Sequence, residues 1–120
     1  MPTQDRAVTI HPYFQVQDGK IDEFKQLCQE LVSKTATEPQ CLYYGFSFHG
    51  NQVHCREGYE SAEGLLAHLS NVDSLLQDTL KIAEIIRLEV HGVDEELAKL
   101  LSSLSDFKPT YFTLKYGIRR

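Results

Sequence analysis

The sequence predicts an α+β fold with one sheet, and three observations support this prediction. Segments rich in β-branched and aromatic residues alternate with segments whose apolar residues follow helical spacing. Near the middle of the chain, two strand-like segments are separated only by a tight turn, which indicates a β-hairpin. The length of 120 residues gives room for one core, so residues 1–120 are expected to form a single domain.

The first strand is predicted over residues 8–16 and is followed by a helix. Its apolar residues at period two are Val8, Ile10, Phe14 and Val16. Pro12 cannot donate a ladder hydrogen bond, so we expect an edge position or a bulge there. After a turn at Asp18-Gly19, the helix is predicted from Lys20 to Thr37. Its apolar stripe consists of Ile21, Phe24, Leu27, Cys28, Leu31 and Val32.

The hairpin begins after Glu38-Pro39, where the helix must end because a residue before proline avoids the α region. Its strands are predicted over residues 41–49 and 53–59, around a turn at 49–52. One face of the first strand is expected to carry Leu42, Tyr44, Phe46 and Phe48.

A second helix and a fourth strand complete the core. Ser61 is a suitable N-cap for a helix. The apolar residues of this helix and its short continuation are Leu65, Leu66, Leu69, Val72, Leu75, Leu76 and Leu80. The strand is predicted over residues 83–91, with Ile86, Leu88 and Val90 on one face. The order β-α-β-β-α-β over about residues 7–91 is that of the ferredoxin-like unit.

Residues 92–120 form a C-terminal extension with one further helix and strand. Asp94 is expected to cap the helix, whose apolar stripe is Val93, Leu97, Leu100, Leu101 and Leu104. The strand is predicted over residues 109–118, with Phe112, Leu114, Tyr116 and Ile118 on one face.

The pattern also predicts a homodimer. Both core helices cover one face of the sheet, and the other face is not plainly polar, with Tyr13, Tyr43, Tyr59 and Ile85 expected there. Two sheets packed face to face would form a dimeric α/β barrel, in which the C-terminal strand extends the partner's sheet. The alternative is a monomer whose terminal helix covers its own sheet.

Composition excludes several classes of protein. The net charge is −5 with acidic and basic residues interleaved, which argues against a nucleic-acid surface. No apolar run approaches the roughly 20 residues of a membrane span, and the N-terminus lacks a signal-peptide core. Cys28, Cys41 and Cys55 lack C-x-x-C spacing, so we expect reduced thiols, a cytoplasmic location and no metal site.

Four segments resemble the antibiotic biosynthesis monooxygenase family. Residues 38–44 are similar to its E-P-G-C-x-x-Y segment, with Gln40 in place of glycine, and residues 53–61 to its strand ending in E-x-[WY]-x-[SD]. Residues 67–69 match its A-H-L on the second helix, and residues 18–20 lie at its P-G-K turn. The resemblance covers roughly residues 7–91.

This resemblance implies a ferredoxin-like fold and a dimer, but it does not single out one reaction. Enzymes of the family oxidise polyketide-like phenols and quinols without metal or flavin; other members degrade haem or act on small signalling molecules, and many have no assigned activity. The Asn, Trp and His set of the haem-degrading members has no match in this sequence.

Three residues are candidates for such chemistry, which needs a general base, hydrogen-bond donors to a phenolate and an apolar wall. His68 titrates near neutral pH and lies one position from the apolar stripe of its helix. Glu57 is a carboxylate within an apolar strand, so it needs a partner, either His68 or, in a purely structural ion pair, Arg56 or Arg87. Tyr44 lies on an apolar strand face, where its hydroxyl serves a pocket or only the core.

The leading hypothesis is therefore a cofactor-independent monooxygenase-like enzyme acting on a small aromatic or enolisable metabolite. The alternative is a non-catalytic homodimeric domain that binds a small ligand or is associated with stress. In a third hypothesis, the C-terminal helix and strand mediate higher assembly. The histidines His11, His54 and His91 are expected to have structural roles, since His54 and Cys55 point to opposite faces of a strand.

Overall fold

The computed structural model describes residues 3–120, which form one mixed sheet and the helices that cover it. In chain order the elements are β1 (Val8–Val16), α1 (Ile21–Thr35), β2 (Cys41–His49), β3 (Gln52–Tyr59), α2 (Ala62–Asn71), α3 (Asp73–Leu80), β4 (Ala83–Gly92), α4 (Asp94–Ala98), a 3-10 turn (Ser105–Phe107) and β5 (Thr110–Thr113). The strand order is β2-β3-β1-β4-β5, and every pairing is antiparallel except β4 with β5. The predicted α+β, ferredoxin-like β-α-β-β-α-β fold with a C-terminal helix and strand is confirmed.

β1 lies at the centre of the sheet, between β3 and β4. Its burial alternates at period two, and the four apolar residues predicted to share a face are all buried. An edge position for Pro12 is therefore wrong, but the pairing with β4 is irregular next to it, where the register shifts between Tyr13 and Phe14.

This irregularity reverses two expectations for β4. Tyr13 pairs with Arg87 and Phe14 with Ile85, so Ile86 is an extra residue in the ladder. As a result Ile85 contacts the core beneath the helices, whereas Ile86 is 49% exposed. The prediction had Ile86 facing the core and Ile85 facing away, because strict alternation does not anticipate a bulge.

A second bulge lies at the start of β2. Cys41 pairs with Tyr59 and Tyr43 with Gly58, so the intervening Leu42 is left over. Leu42 is 38% exposed, whereas Cys41 packs against the core. Tyr59 itself is fully buried on the helix-covered face, so its expected position on the opposite face is wrong.

The C-terminal extension packs on the helix-covered face of its own sheet. Leu97, Leu100 and Leu104 are buried against Tyr59 and Leu65. Leu101 is 54% exposed, because α4 ends at Ala98 and the helical spacing is lost. Val93, not Asp94, is the N-cap of α4. The Asp94 carboxylate instead accepts a hydrogen bond from Thr113 at 2.7 Å.

β5 pairs in parallel with the last residues of β4, Glu89–Gly92, so it extends its own sheet. The expectation that the C-terminal strand extends the sheet of a partner is therefore wrong. The expected strand over 109–118 is shortened to Thr110–Thr113 because β4 ends at Gly92. The last ladder-like contact is a hydrogen bond from the Leu114 N–H to the Gly92 carbonyl at 2.7 Å. Tyr116 and Ile118 are largely exposed.

The sheet face opposite the helices, here called the open face, carries a cluster of histidine and aromatic side chains from β1, β3, β4 and β5. Members with ring contacts to one another are His11, Tyr13, His54, His91 and the β5 residue Phe112. Across residues 3–120, no helix is long and apolar enough to cross a membrane.

Candidate active site

A cavity of about 50 Å³ lies between the sheet and the helices. Its apolar wall comprises Ile10, Pro12, Phe14, Leu31, Phe46, Leu69, Val72, Leu76, Ile85, Leu88, Leu104 and Phe107. Its polar or titratable groups are Tyr44, Cys55, Glu57, His68 and Thr79. The three candidate residues His68, Glu57 and Tyr44 thus line one cavity.

His68 faces the interior of the protein from α2. It is 3% exposed, and it follows buried Leu65 and precedes buried Val72 at i, i+3, i+7 spacing. It therefore belongs to the inward stripe and not to a position beside it. Burial lowers the pKa of His68, and the hydrogen bond and charge of Glu38 partly oppose this.

Glu38 holds one side of the His68 ring. The Nδ1 atom of His68 lies 3.0 and 2.9 Å from the two carboxylate oxygens of Glu38. Asn71 donates from Nδ2 to Glu38 Oε2 at 2.8 Å and so fixes the carboxylate. Because a carboxylate accepts hydrogen bonds, Nδ1 carries the hydrogen, and the lone pair of Nε2 is directed away from Glu38.

Glu57 lies on the other side of the ring. Its Oε1 atom is 3.5 Å from Nε2 of His68 and accepts a 2.7 Å hydrogen bond from the Tyr59 hydroxyl. Burial raises the pKa of Glu57 to about 7, against the hydrogen bonds of Tyr59 and Cys55, which lower it, while the charge of Glu38 raises it. Glu57 is thus a carboxyl group that exchanges its proton near neutral pH.

The two arginines expected as partners of Glu57 contact other residues instead. Arg56 lies over the ring of Tyr43, and Arg87 forms an ion pair with Glu89. A structural ion pair of Glu57 with either arginine is therefore wrong, and the alternative partner, His68, is the one present.

Tyr44 pairs directly with Glu57 across the β2–β3 ladder. Its ring centroid is 5.1 Å from that of His68. Burial and the neighbouring charge of Glu57 raise the pKa of Tyr44, so its hydroxyl keeps its hydrogen. Tyr44 is consequently a hydrogen-bond donor and not a base.

His54 and Cys55, which are adjacent in β3, point to opposite faces of the sheet. Cys55 lines the cavity and His54 contacts Tyr13 on the open face, as the strand alternation predicted. Within residues 3–120 no three of the His, Cys, Asp and Glu side chains are grouped as a metal site requires.

Sequence reasoning missed Glu38 and Asn71, which orient His68. Glu38 was assigned only the end of α1, although it is the first residue of the family-like segment 38–44. Asn71 follows His68 at i+3 on the same helix, so its helical spacing was a usable signal. Leu104 was expected in the apolar stripe of the C-terminal helix. Nothing in the pattern indicated that Leu104 and Phe107 line the cavity, because α4 ends before them.

The sequence pattern of the antibiotic biosynthesis monooxygenase family matches residues 7–74. This is more than half of the chain. The chain belongs to the antibiotic biosynthesis monooxygenase family. No curated protein matches the sequence.

Solved structures agree with the family. MupZ from Pseudomonas fluorescens is 45% identical, with a TM-score of 0.91 over 96% of this chain and 95% of MupZ. A conserved protein from Methanosarcina mazei Go1 is 19% identical, with a TM-score of 0.65 over 72% of this chain and 91% of its own. Rv0793 from Mycobacterium tuberculosis is 16% identical, with a TM-score of 0.63 over 70% of this chain and 91% of its own. The latter two show the fold alone.

One departure from the family pattern has a structural counterpart. Gln40 stands where the family has glycine, and its side chain lies against Gly64 on α2. A Cβ atom at position 64 would be 2.9 Å from Gln40 Oε1, so glycine at 64 allows this contact.

Proposed function

We propose that this member of the family is a cofactor-independent, monooxygenase-type enzyme acting on a small aromatic or enolisable metabolite. The observation that carries the proposal is the row of side chains Glu38, His68 and Glu57 beside a mainly apolar cavity. Such a row combines a base, a group that orients it and a carboxyl group able to hold a proton near neutrality.

The proposed reaction begins with proton transfer. Nε2 of His68 accepts the proton of a phenolic O–H or an activated C–H, and Glu38 stabilises the resulting imidazolium. The Tyr44 hydroxyl and the protonated form of Glu57 donate hydrogen bonds to the substrate oxygen, which is where the negative charge develops. The electron-rich anion then reacts with dioxygen; one oxygen atom enters the substrate as a carbonyl and the other leaves as water. The substrate supplies all the electrons, as when a ring CH₂ becomes C=O.

Oxygen uptake with a set of quinols and anthrones tests this function. We expect uptake by the unmodified protein, label from ¹⁸O₂ in the product, and loss of both in His68→Ala. His49→Ala is the matched control, because His49 is an exposed residue at the end of β2. If no compound is consumed, or if His68→Ala consumes oxygen at the unmodified rate, this function is wrong.

A non-catalytic ligand-binding domain is the second candidate, because most of the residues that line the cavity are apolar. A volume of about 50 Å³ is smaller than the roughly 150 Å³ cavity known to hold benzene, so an aromatic ring requires movement of the wall. A phenol that binds without oxygen uptake and without exchange of its activated C–H with deuterated water would support this candidate.

We also propose that the open face pairs with a copy of the chain, in the dimeric α/β barrel expected from the sequence. Tyr43, Ile86 and Phe112 are exposed apolar side chains on or beside this face, and no element of residues 3–120 covers them. Residues 92–120 are proposed to belong to the same domain as the core, since their leucines are buried with Val8 and Tyr59.

A further inference from the structure

The segment of residues 99–108, here called the roof, contributes Leu104 and Phe107 to the wall of the cavity. It is fixed at both ends. Before it, Glu96 accepts the Ala62 N–H at the start of α2, at 2.9 Å. After it, β5 is held by its ladder with β4 and by the hydrogen bond from Thr113 to Asp94. The roof itself contains only turns and the 3-10 turn, and Lys108 at its end adopts a left-handed conformation with φ 49°.

Two side chains of the roof line the cavity. Leu104 is 1% exposed and belongs to the core. Phe107 is 38% exposed and is the most exposed of the residues around the cavity. Because the cavity is too small for an aromatic ring, a ligand has to displace part of the wall. The wall is least buried at Phe107, so the least packing is lost if the ligand passes there.

The family match does not extend as far as the roof. The family match ends at residue 74, and the solved relatives under 25% identity leave roughly a quarter of this chain unmatched while being almost fully covered themselves. Only MupZ, of the structures described above, matches nearly the whole chain. Glu57 and His68 therefore lie within the part of the chain that matches the family, whereas Leu104 and Phe107 lie beyond it.

We propose that the roof determines substrate size, and that the substrate is a mostly apolar molecule with a single polar group. The polar group lies at Glu57 and His68, and the apolar remainder lies against Leu104 and Phe107. The position of the polar group at Glu57 and His68 rests on the proposed function. The effect of the roof on substrate size does not. A hydrophobic wall discriminates by fit, so changes to Phe107 alter which ligand is preferred.

The test compares the dissociation constants of 4-methylphenol and 1-naphthol. The chain contains no tryptophan, so the fluorescence of 1-naphthol is observed without tryptophan emission, and calorimetry serves for 4-methylphenol. We expect Phe107→Ala to shift the preference toward 1-naphthol by about tenfold and Phe107→Trp to shift it the other way. Leu101→Ala is the matched control on the same segment; it is half exposed and does not line the cavity, so its preference should equal that of the unmodified protein.

Folding is checked by circular dichroism, and Phe107→Leu provides a second, smaller side chain at the same position if Phe107→Ala does not fold. The inference is overturned if the preference stays within twofold in every folded roof variant, or if Leu101→Ala changes it equally. His68→Gln separates the two proposals. If the ligand preference changes in the Phe107 variants while His68→Gln takes up oxygen at the unmodified rate, the proposed function is contradicted. The proposal that the roof determines substrate size then stands. If His68→Gln loses oxygen uptake while the Phe107 variants keep the ligand preference of the unmodified protein, only the proposed role of the roof is contradicted.

Discussion

The imidazole of His68 and the carboxylate of Glu38 form a two-sided contact, with Nδ1 at 2.9 and 3.0 Å from the carboxylate oxygens. Glu38 comes from the loop before β2 and His68 from the last turn of α2, so the contact joins two segments of the core. It fixes both the ring orientation and the tautomer, which leaves Nε2 free to accept a proton on the cavity side.

Glu38→Gln should reduce activity about 10- to 100-fold while the fold is retained, because an orienting partner of this kind typically has an effect of that size. The charge of Glu38 raises the pKa of His68, so its removal lowers that pKa further. Activity that depends on neutral His68 rises with pH through this pKa. The rising limb of the pH–rate profile should therefore move to lower pH in Glu38→Gln.

The matched control is Glu30→Gln, an exposed carboxylate on α1. It should have the rate and pH profile of the unmodified protein. If Glu38→Gln has a reduced rate but the rising limb of its pH–rate profile does not move, Glu38 stabilises the fold and does not set the pKa of His68.

Glu57→Gln should stabilise the protein at alkaline pH. The pKa of Glu57 is raised from 4.5 to about 7, so between these values the folded state holds a proton that the unfolded state has released. Stability therefore falls as pH rises through this window, by about 3 kcal/mol at most. Glutamine resembles the protonated form, so the variant should exceed the unmodified protein by up to about that amount at pH 8 and by little at pH 4.5.

Urea unfolding at pH 4.5, 6 and 8 measures this difference. The lowered pKa of His68 makes stability rise with pH, which is the opposite dependence. Because His68 is present in both proteins, the difference between them reports mainly on Glu57. Glu60→Gln, at an exposed position, is the control and should give a constant difference. A difference between Glu57→Gln and the unmodified protein that does not grow with pH would mean that burial does not hold the proton on Glu57.

The N-terminus of α2 depends on a residue from the C-terminal extension. Ser61 has the predicted N-cap position, but its side chain forms no cap hydrogen bond. Glu96, which is 5% exposed, accepts the Ala62 N–H instead. Glu96→Ala leaves that buried donor without its acceptor and should lower the free energy of unfolding by about 1–2 kcal/mol. Glu95→Ala is the neighbouring control; its ion pair with Arg6 is exposed to solvent, so its removal should change stability much less than Glu96→Ala. If Glu96→Ala and Glu95→Ala lower the free energy of unfolding in urea equally, Glu96 does not cap α2.

Local patterns were sufficient for most of the fold and insufficient where distant segments meet. The hairpin strands and the burial of β1 follow from period-two alternation, which neighbouring residues determine. The bulges at Leu42 and Ile86 do not, because they arise from pairing with another strand. The cavity residues His68 and Glu57 were predicted from their polarity in apolar surroundings. The Glu38 contact was not, since Glu38 and His68 are 30 residues apart and only the fold brings them together.

Self-association through the open face should depend on Ile86. This residue is the extra residue of the β4 bulge and is 49% exposed, which makes it a large apolar side chain without cover in residues 3–120. Ile86→Asp would place a charge in the proposed dimer interface and remove the burial of one isoleucine. We expect the dimer dissociation constant to rise at least about tenfold, measured by sedimentation equilibrium. Ile118→Asp is the matched control, since Ile118 is 78% exposed on the C-terminal tail outside the sheet. A sedimentation mass of one chain for the unmodified protein, or equal weakening by both substitutions, would contradict a dimer through this face.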